Sequence, residues 1–221
     1  MNEKMIAGEK AVEYVKNGMT VGLGTGSTVY YTIAKIAEMV EAGLEIKAVS
    51  TSSSTTKLAK SLGIDVVSMN EVDIIDLTID GADEIDENLN GIKGGGGALF
   101  YEKMVAEFSE KVIWVADSSK KVKKLGRFYL PVEVSPFAYK QIMKKLLMSG
   151  ANPHIRKKED GYYRTDSGNY IIDLDMKEIN DSREFEKWLN MIPGVIENGL
   201  FNDIADIVIY GKQNGFEIIE K

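Results

Sequence analysis

From Met19 to Ala116 the chain alternates short apolar runs with stretches of helical period. Ahead of that, Lys4 to Lys16 reads as a helix with Met5, Val12 and Val15 on one face, stopped by Asn17-Gly18. Met19 to Leu23 is a short buried strand. It empties into Gly24-Thr25-Gly26-Ser27-Thr28, and a helix follows in which Val29, Ile33, Ile36, Ala37 and Val40 form one stripe, closed by Ala42-Gly43. Glu45 to Val49 is the next strand, and Ser50 to Ser54 a hydroxyl-rich turn. Thr55 to Leu62 is a helix closed by Gly63. Ile64 to Val67, Val72 to Ile79 and Val112 to Ala116 complete the strands. Strand and helix alternating at this spacing predict an α/β fold, a Rossmann-like parallel sheet with covering helices. Ligands of such sheets sit at the carboxyl ends of the strands, where this chain places its polar and Gly-rich loops.

The pattern changes near Leu125-Gly126-Arg127. Leu130 to Val134 reads as a strand, Tyr139 to Met148 as a helix, Gly168 to Leu174 as a strand and Ser182 to Asn190 as a helix, with a turn at Ile192-Pro193-Gly194. This predicts a smaller inserted α+β domain over 128–200. Ala205 to Tyr210 is expected to return to the first sheet, so the pattern predicts a larger α/β domain over residues 1–127 and 201–221.

The chain has 221 residues, one domain or two at ~150 residues per domain. Its apolar fraction of 44% supports a sizeable core, which excludes disorder for most of the chain. The net charge of −7 speaks against nucleic acid, whose backbone it would repel. An anion must then be held locally, by placed cations and backbone amides. There is no Cys and one His, His154, which excludes disulfides, thiolate chemistry and multi-His metal cages. His154, in Asn152-Pro153-His154, reads as a surface or loop residue. No apolar run approaches the ~20 residues of a membrane span. Met1-Asn2-Glu3-Lys4 has no signal-peptide pattern, so a cytoplasmic location is expected.

Four loops could carry chemistry. Gly22 to Thr28 joins a strand to a helix. Its glycines permit tight turning, and the helix N-terminus with the Ser27 and Thr28 hydroxyls suits phosphate. The competing reading is that Ser27 only caps the helix. The loop is neither the dinucleotide fingerprint, because its third glycine comes one residue early, nor a P-loop, because no Lys-Ser or Lys-Thr follows. Thr78 to Asp86 ends an apolar strand with clustered acids, whose pKa values should separate by repulsion, unless they form only a solvated turn. A calcium loop starting at Asp86 fails, since its twelfth position is Gly97 rather than Glu.

Lys93-Gly94-Gly95-Gly96-Gly97 forfeits roughly 0.5–1 kcal/mol per glycine relative to Ala, a cost that suggests a required backbone shape rather than a linker. Lys93 before the glycines and Glu102 in the helix after them could neutralise an oxyanion and move a proton. Asp117-Ser118-Ser119-Lys120 follows a strand, and Lys120 could reach a phosphate.

Taken in order, these loops resemble the type A ribose-5-phosphate isomerase family. The matching segments are Gly22 to Thr28, Asp80-Gly81-Ala82-Asp83-Glu84, Lys93 to Leu99 with Glu102-Lys103, Asp117 to Lys120, Leu130 to Val134 and Pro193 to Phe201. Phe100 and Tyr101 depart from the family, which usually has a small hydroxyl residue and Arg there. The resemblance implies metal-independent interconversion of D-ribose 5-phosphate and D-ribulose 5-phosphate through a cis-enediolate, in the non-oxidative pentose phosphate pathway, with no cofactor. It makes Glu102 the base between C2 and C1. Lys93 and the Gly94, Gly95 and Gly96 amides stabilise the oxyanion. Asp80 and Asp83 open the furanose ring and relay protons, with Gly81 and Ala82 beside the sugar. Thr25, Gly26, Ser27, Thr28, Lys120 and Lys4 form the phosphate site. It also implies a homodimer or homotetramer whose partner is a small sugar phosphate, with no nucleic acid and no membrane. The alternatives are a sugar-phosphate-binding regulator without turnover, which would need no base, and a nucleotide-binding enzyme, which the failed fingerprint disfavours.

Overall fold

The computed structural model describes residues 2–159 and 161–221. Its helices are α1 (Glu3–Ala11), α2 (Val29–Glu41), α3 (Ser53–Ser61), α4 (Leu99–Glu107), α5 (Tyr139–Met148) and α6 (Ser182–Asn190). In chain order its strands are β1 (Thr20–Leu23), β2 (Lys47–Ser50), β3 (Leu77–Gly81), β4 (Glu84–Ile85), β5 (Gly91–Ile92), β6 (Val112–Asp117), β7 (Leu130–Val134), β8 (Pro153–Ile155), β9 (Lys157–Lys158), β10 (Gly161–Tyr162), β11 (Tyr170–Leu174), β12 (Val195–Asn198), β13 (Leu200–Phe201), β14 (Ile207–Lys212) and β15 (Gly215–Glu220). The chain divides into two compact units. The first takes residues 1–82, 101–120 and 203–221, and the second 83–100 and 121–202. The second unit therefore claims more than the expected 128–200, because the hairpin β4–β5 and the glycine loop belong to it.

The first unit is a six-stranded sheet in the order β15-β14-β6-β3-β1-β2. The β14-β6-β3-β1-β2 pairs are all parallel, as the alternating pattern predicts, and β15 adds an antiparallel edge. Parallel strands covered on both faces must be apolar on both, and β1, β3 and β6 bury nearly every residue. Val21, Leu23, Ile79, Ile113, Val115 and Ile209 meet Ala7, Ala11, Ile33 and Ile36 of the helices in one core. Gly22 is obligatory: a Cβ there would come within 1.9 Å of Thr78 Oγ1 on the neighbouring strand. Two expected strands shrink. Ile64 to Val67 keeps one bridge, Val66 to Ala48, and Val72 to Ile79 pairs only from Leu77 apart from a bridge at Ile75. Of their apolar residues, Val67, Val72 and Ile75 pack with Val49 and Val105 in a second small core. The first helix is shorter than expected, ending at Ala11 in a 3₁₀ turn over Val12–Tyr14.

The second unit holds a four-stranded antiparallel sheet, β12-β7-β11-β8, and a three-stranded one, β13-β5-β4. Leu130, Val132 and Val134 point to one side of β7 and pack with Ile142 and Leu146 of α5 and Leu189 of α6. Pro131 and Glu133 alternate to the opposite face, where their partners on β11 are Asp173 and Ile171. His154 stands exposed on β8 with its ring stacked on Tyr129.

Candidate active site

In the first unit the carboxyl ends of β1 and β3 are locked together. Asp80, 2% exposed, accepts from Thr25 N at 3.0 Å and from Gly81 N at 2.7 Å. Gly24 is required by this approach, since a Cβ would lie 2.0 Å from Asp80 Oδ1. The Thr25 hydroxyl turns inward, 2.7 Å from Thr51 Oγ1 and 2.8 Å from Ser52 Oγ, and Thr55 Oγ1 donates to Gly24 O at 2.9 Å. Thr25 thus shapes the loop with both its polar groups. Thr51 and Ser52 come from the hydroxyl-rich turn after β2, which sequence reasoning identified only as a turn, and Thr55 from the first turn of α3.

The Ser27 capping reading fails. The N-cap of α2 is Thr28, and no side chain caps it. By contrast Ser52 caps α3 by accepting from Thr55 N. Ser27 is exposed and accepts from Lys4 Nζ at 2.9 Å, which brings one ammonium to the α2 N-terminus. Glu3, next to Lys4, accepts from Ser118 N at 3.0 Å and Ser118 Oγ at 2.7 Å. Those two hydrogen bonds hold the Glu3 carboxyl below the usual range. The start of α1 therefore ties the 25–28 loop to the Ser118–Lys120 turn, gathering Lys4, Ser27, Thr28 and the Lys120 turn in one neighbourhood. Gly211 on β14 makes room for it, because a Cβ there would fall 1.8 Å from Glu3 O.

Glu102 lies in the first turn of α4 and is buried, 5% exposed. Tyr101, the departure before it, is exposed and lines a cavity of about 600 Å³ with Val49, Thr56, Lys60 and Met104.

In the second unit the expected acid cluster is dispersed, each carboxylate taking its own backbone amides. Asp83 Oδ2 accepts from Gly95 N at 2.8 Å. Glu84, 1% exposed, accepts from Gly126 N at 2.8 Å and Phe128 N at 2.7 Å, a purely structural use. Asp86 closes the β4–β5 turn on Asn88 N and Asn90 N, both at 2.9 Å. Among the described residues no group of three or more His, Cys, Asp or Glu is placed to hold a metal ion.

Lys93 is 2% exposed, its Nζ 5.5 Å from the Phe201 ring centre, and its amide donates to Gly199 O at 2.9 Å. Gly199 cannot carry a side chain there, since a Cβ would meet Lys93 O at 2.4 Å. In the loop that follows, Gly94 and Gly97 have φ of +100° and +80°, which only glycine adopts without strain. Gly97 N closes a turn on Gly94 O at 3.0 Å. Gly95 and Gly96 are exposed. The Gly95 amide is occupied by Asp83, so it fixes Asp83 rather than standing open as expected. Arg156 and Tyr163 contact this loop from sequence positions about sixty residues away or more, and Asp173 is bonded to Arg156; no local signal marks them, and Arg156 sits in a run, Arg156-Lys157-Lys158-Glu159, that reads as solvated charge.

Residues 47–215 match the model of a family described as ribose 5-phosphate isomerase A, or phosphoriboisomerase A. The chain is 52% identical to the ribose-5-phosphate isomerase A of Listeria monocytogenes, covering 100% of both, and 49% identical to that of Streptococcus sanguinis, covering 99% and 98%. Among solved structures it is similar to a D-ribose-5-phosphate isomerase in complex with phospho-erythronic acid, with a TM-score of 0.96, 41% identity and full coverage of both chains. The ribose 5-phosphate isomerase A of Methanocaldococcus jannaschii superposes with a TM-score of 0.94 at 39% identity, over 99% and 98% of the two chains.

Proposed function

The chain belongs to the ribose 5-phosphate isomerase A family, and from that premise we propose how its residues divide the work of the reaction. The protein is an isomerase that interconverts D-ribose 5-phosphate and D-ribulose 5-phosphate. In our reading the phosphate is held by Ser27, Thr28 and Gly26 at the α2 N-terminus, with Lys4 and Lys120 supplying charge and Thr25 setting the loop. Asp80 and Asp83, beside Gly81 and Ala82, open the furanose ring and relay the hydroxyl protons.

Glu102 then takes the proton from C2 of the open aldose. The electron pair of that C–H bond forms the C1–C2 double bond, and the carbonyl pair moves onto O1. Lys93 and the loop amides stabilise the oxygen charge that develops. A relayed proton moves from O2 to O1, Glu102 returns its proton to C1, and C2 becomes the ketone. Nothing is oxidised or reduced overall, and the scheme calls for no cofactor or metal. A carboxylate serves such chemistry because it can accept and return one proton in place.

The observation that carries this reading is the pairing of a buried carboxylate, Glu102, with a buried ammonium, Lys93, across a glycine loop in the sequence of a full-length relative of known isomerases. A regulator that only binds sugar phosphate has no use for the buried base. We further place the protein in the cytoplasm as a homodimer or homotetramer; the exposed Phe137, Met148 and Met191 of the second unit offer apolar surface for such association. The direct test is to incubate the purified protein with ribose 5-phosphate and excess chelator and to follow ketose formation. Turnover is expected; its absence, or its dependence on an added divalent ion, would refute the scheme.

A further inference from the structure

The glycine loop is gripped by a side chain to which the scheme above gives no role. Arg156 lies between β8 and β9, its amide donating to Ile171 O at 2.8 Å and its carbonyl accepting from Tyr163 N at 3.0 Å. The guanidinium forks onto Asp173, with Nε 2.9 Å from Oδ2 and Nη2 bonded to Oδ1. Its remaining nitrogen, Nη1, donates to the carbonyls of Gly94 at 2.9 Å and Gly95 at 3.2 Å. Tyr163, whose ring centre lies 5.7 Å from the guanidinium carbon, donates its hydroxyl to Gly96 O at 3.0 Å. Burial pushes the Tyr163 hydroxyl above its usual pKa, so it remains a donor through the neutral range. One ion pair and one phenol thus hold three successive carbonyls.

In a trans peptide the C=O and the following N–H point in opposite directions, and no peptide among the described residues is cis. With Gly94 C=O fixed on Arg156, Gly95 N–H is aimed the other way, where it meets Asp83 Oδ2. With Gly95 C=O fixed, Gly96 N–H is aimed likewise, and it makes no hydrogen bond among the described residues. We propose that Arg156, braced by Asp173, is a positioning residue of the isomerisation: it orients the Gly95 and Gly96 amides so that one holds Asp83 and the other meets the enediolate oxygen. This deepens, and rests on, the reading of the loop as the oxyanion cradle.

The physical need is plain. Unsupported glycines sample many backbone states. A donor contributes most to a developing charge when it is already aimed at it. Asp173 balances the guanidinium, so the brace sets geometry without adding net charge beside an anionic substrate. Lysine cannot substitute, because a single ammonium lacks the planar fork that reaches a carboxylate and two carbonyls together.

The test is Arg156→Lys and Arg156→Ala in the full chain, with phospho-erythronate and inorganic phosphate as competing inhibitors. Arg156→Lys is expected to lower kcat by about 10–10²-fold, somewhat less than the ~10²–10³ of an oxyanion donor lost outright. KM and inhibition by inorganic phosphate should stay within about two-fold, because the phosphate loop is untouched, while phospho-erythronate inhibition weakens along with kcat. Added guanidinium ion should restore part of the kcat of Arg156→Ala. Unchanged kcat in both variants would overturn the inference, and so would a parallel loss of inorganic phosphate binding, which marks general damage. Lys93→Met separates the two levels. If it keeps its kcat, the cradle reading fails and takes the inference with it; if it loses kcat while the Arg156 variants do not, only the role of Arg156 falls.

Discussion

Two glycine-rich loops, one in each unit, reach a fixed shape by different means. The Gly24–Thr28 loop is shaped by near neighbours at the ends of its own sheet: Asp80 on its amide, and the Thr51, Ser52 and Thr55 hydroxyls on Thr25. Its outer residues, Ser27 and Thr28, remain at the start of a helix. The Lys93–Gly97 loop has no side chain after Lys93 and takes its shape from Asp83, Arg156 and Tyr163. The difference follows from what each loop would meet. A phosphate carries its charge throughout the reaction, so hydroxyls and a helix dipole serve it equally in ground and transition state. An enediolate oxygen gains its charge only in the transition state, where donors must already be aimed. The first loop should therefore govern KM and the second, with the Glu102 that follows it, kcat.

The sharpest break in that division comes from Glu102→Gln, which keeps size and hydrogen bonding but removes basicity. Steady-state assay should show kcat lower by ~10²–10⁴, the usual worth of positioned acid–base catalysis, with KM little changed. A kcat within a few-fold of the parent would leave Glu102 a structural residue. Next in size, Ser27→Ala with Thr28→Ala should raise KM for the sugar phosphate with a smaller effect on kcat. Each hydrogen bond to a charged group is worth roughly 1.5–3 kcal/mol. An unchanged KM would move the phosphate to the Lys120 turn.

Gly24→Ala probes the join between anchoring and chemistry, because the new methyl would displace Asp80. Overpacking of this kind costs about 1–3 kcal/mol, readable as a lower melting temperature, and kcat should fall with it as Asp80 moves.

The smallest effect concerns β7, the strand behind the second loop, where Pro131 lies near Gly94. On the same face Glu133 is 1% exposed. Burial raises its pKa above the usual glutamate value, helped by Glu197 opposite on β12 and by Asp166, against hydrogen bonds from Asn169 and Thr165. The folded state thus binds this proton more tightly than the unfolded chain. Its contribution to stability is complete below the ordinary glutamate pKa and is lost as pH rises through the raised one. Glu133→Gln should therefore melt higher than the parent at pH 8, with the gap closing near pH 4.5. A gap independent of pH would contradict this.

The sequence made the first loop more legible than the second, for a physical reason. β1, the loop and α2 are contiguous, so apolar period, glycine spacing and hydroxyls could be read together, and Leu130–Val134 and Tyr139–Met148 were equally plain. Val72 to Asp76 misled because apolar residues can serve packing without a ladder partner: Ile75 is buried in the Val49–Ile75–Val105 core with Val72 packed against it, while Ile74 is exposed. The β14–β15 hairpin was missed past Tyr210, although Asn214-Gly215 at its turn signals one. The acids from Asp80 to Asp86 share a segment but not an environment, because strand ends and a tight turn send each to different amides. Arg156, Tyr163 and Asp173 were illegible because only antiparallel pairing brings Arg156 and Tyr163 beside glycines about sixty or more positions away, and Asp173 beside Arg156.

The central claim, that Glu102 moves the substrate proton, is tested most directly by isotope exchange. Parent and Glu102→Gln are incubated with ribose 5-phosphate in deuterium oxide, and the C2 hydrogen is followed by proton NMR. The parent should exchange it as product forms. Glu102→Gln should still bind the sugar phosphate but leave the C2 hydrogen in place, because no other group collects that proton. Exchange at near-parent rate in Glu102→Gln would contradict the account and make Asp83 the next candidate for the base.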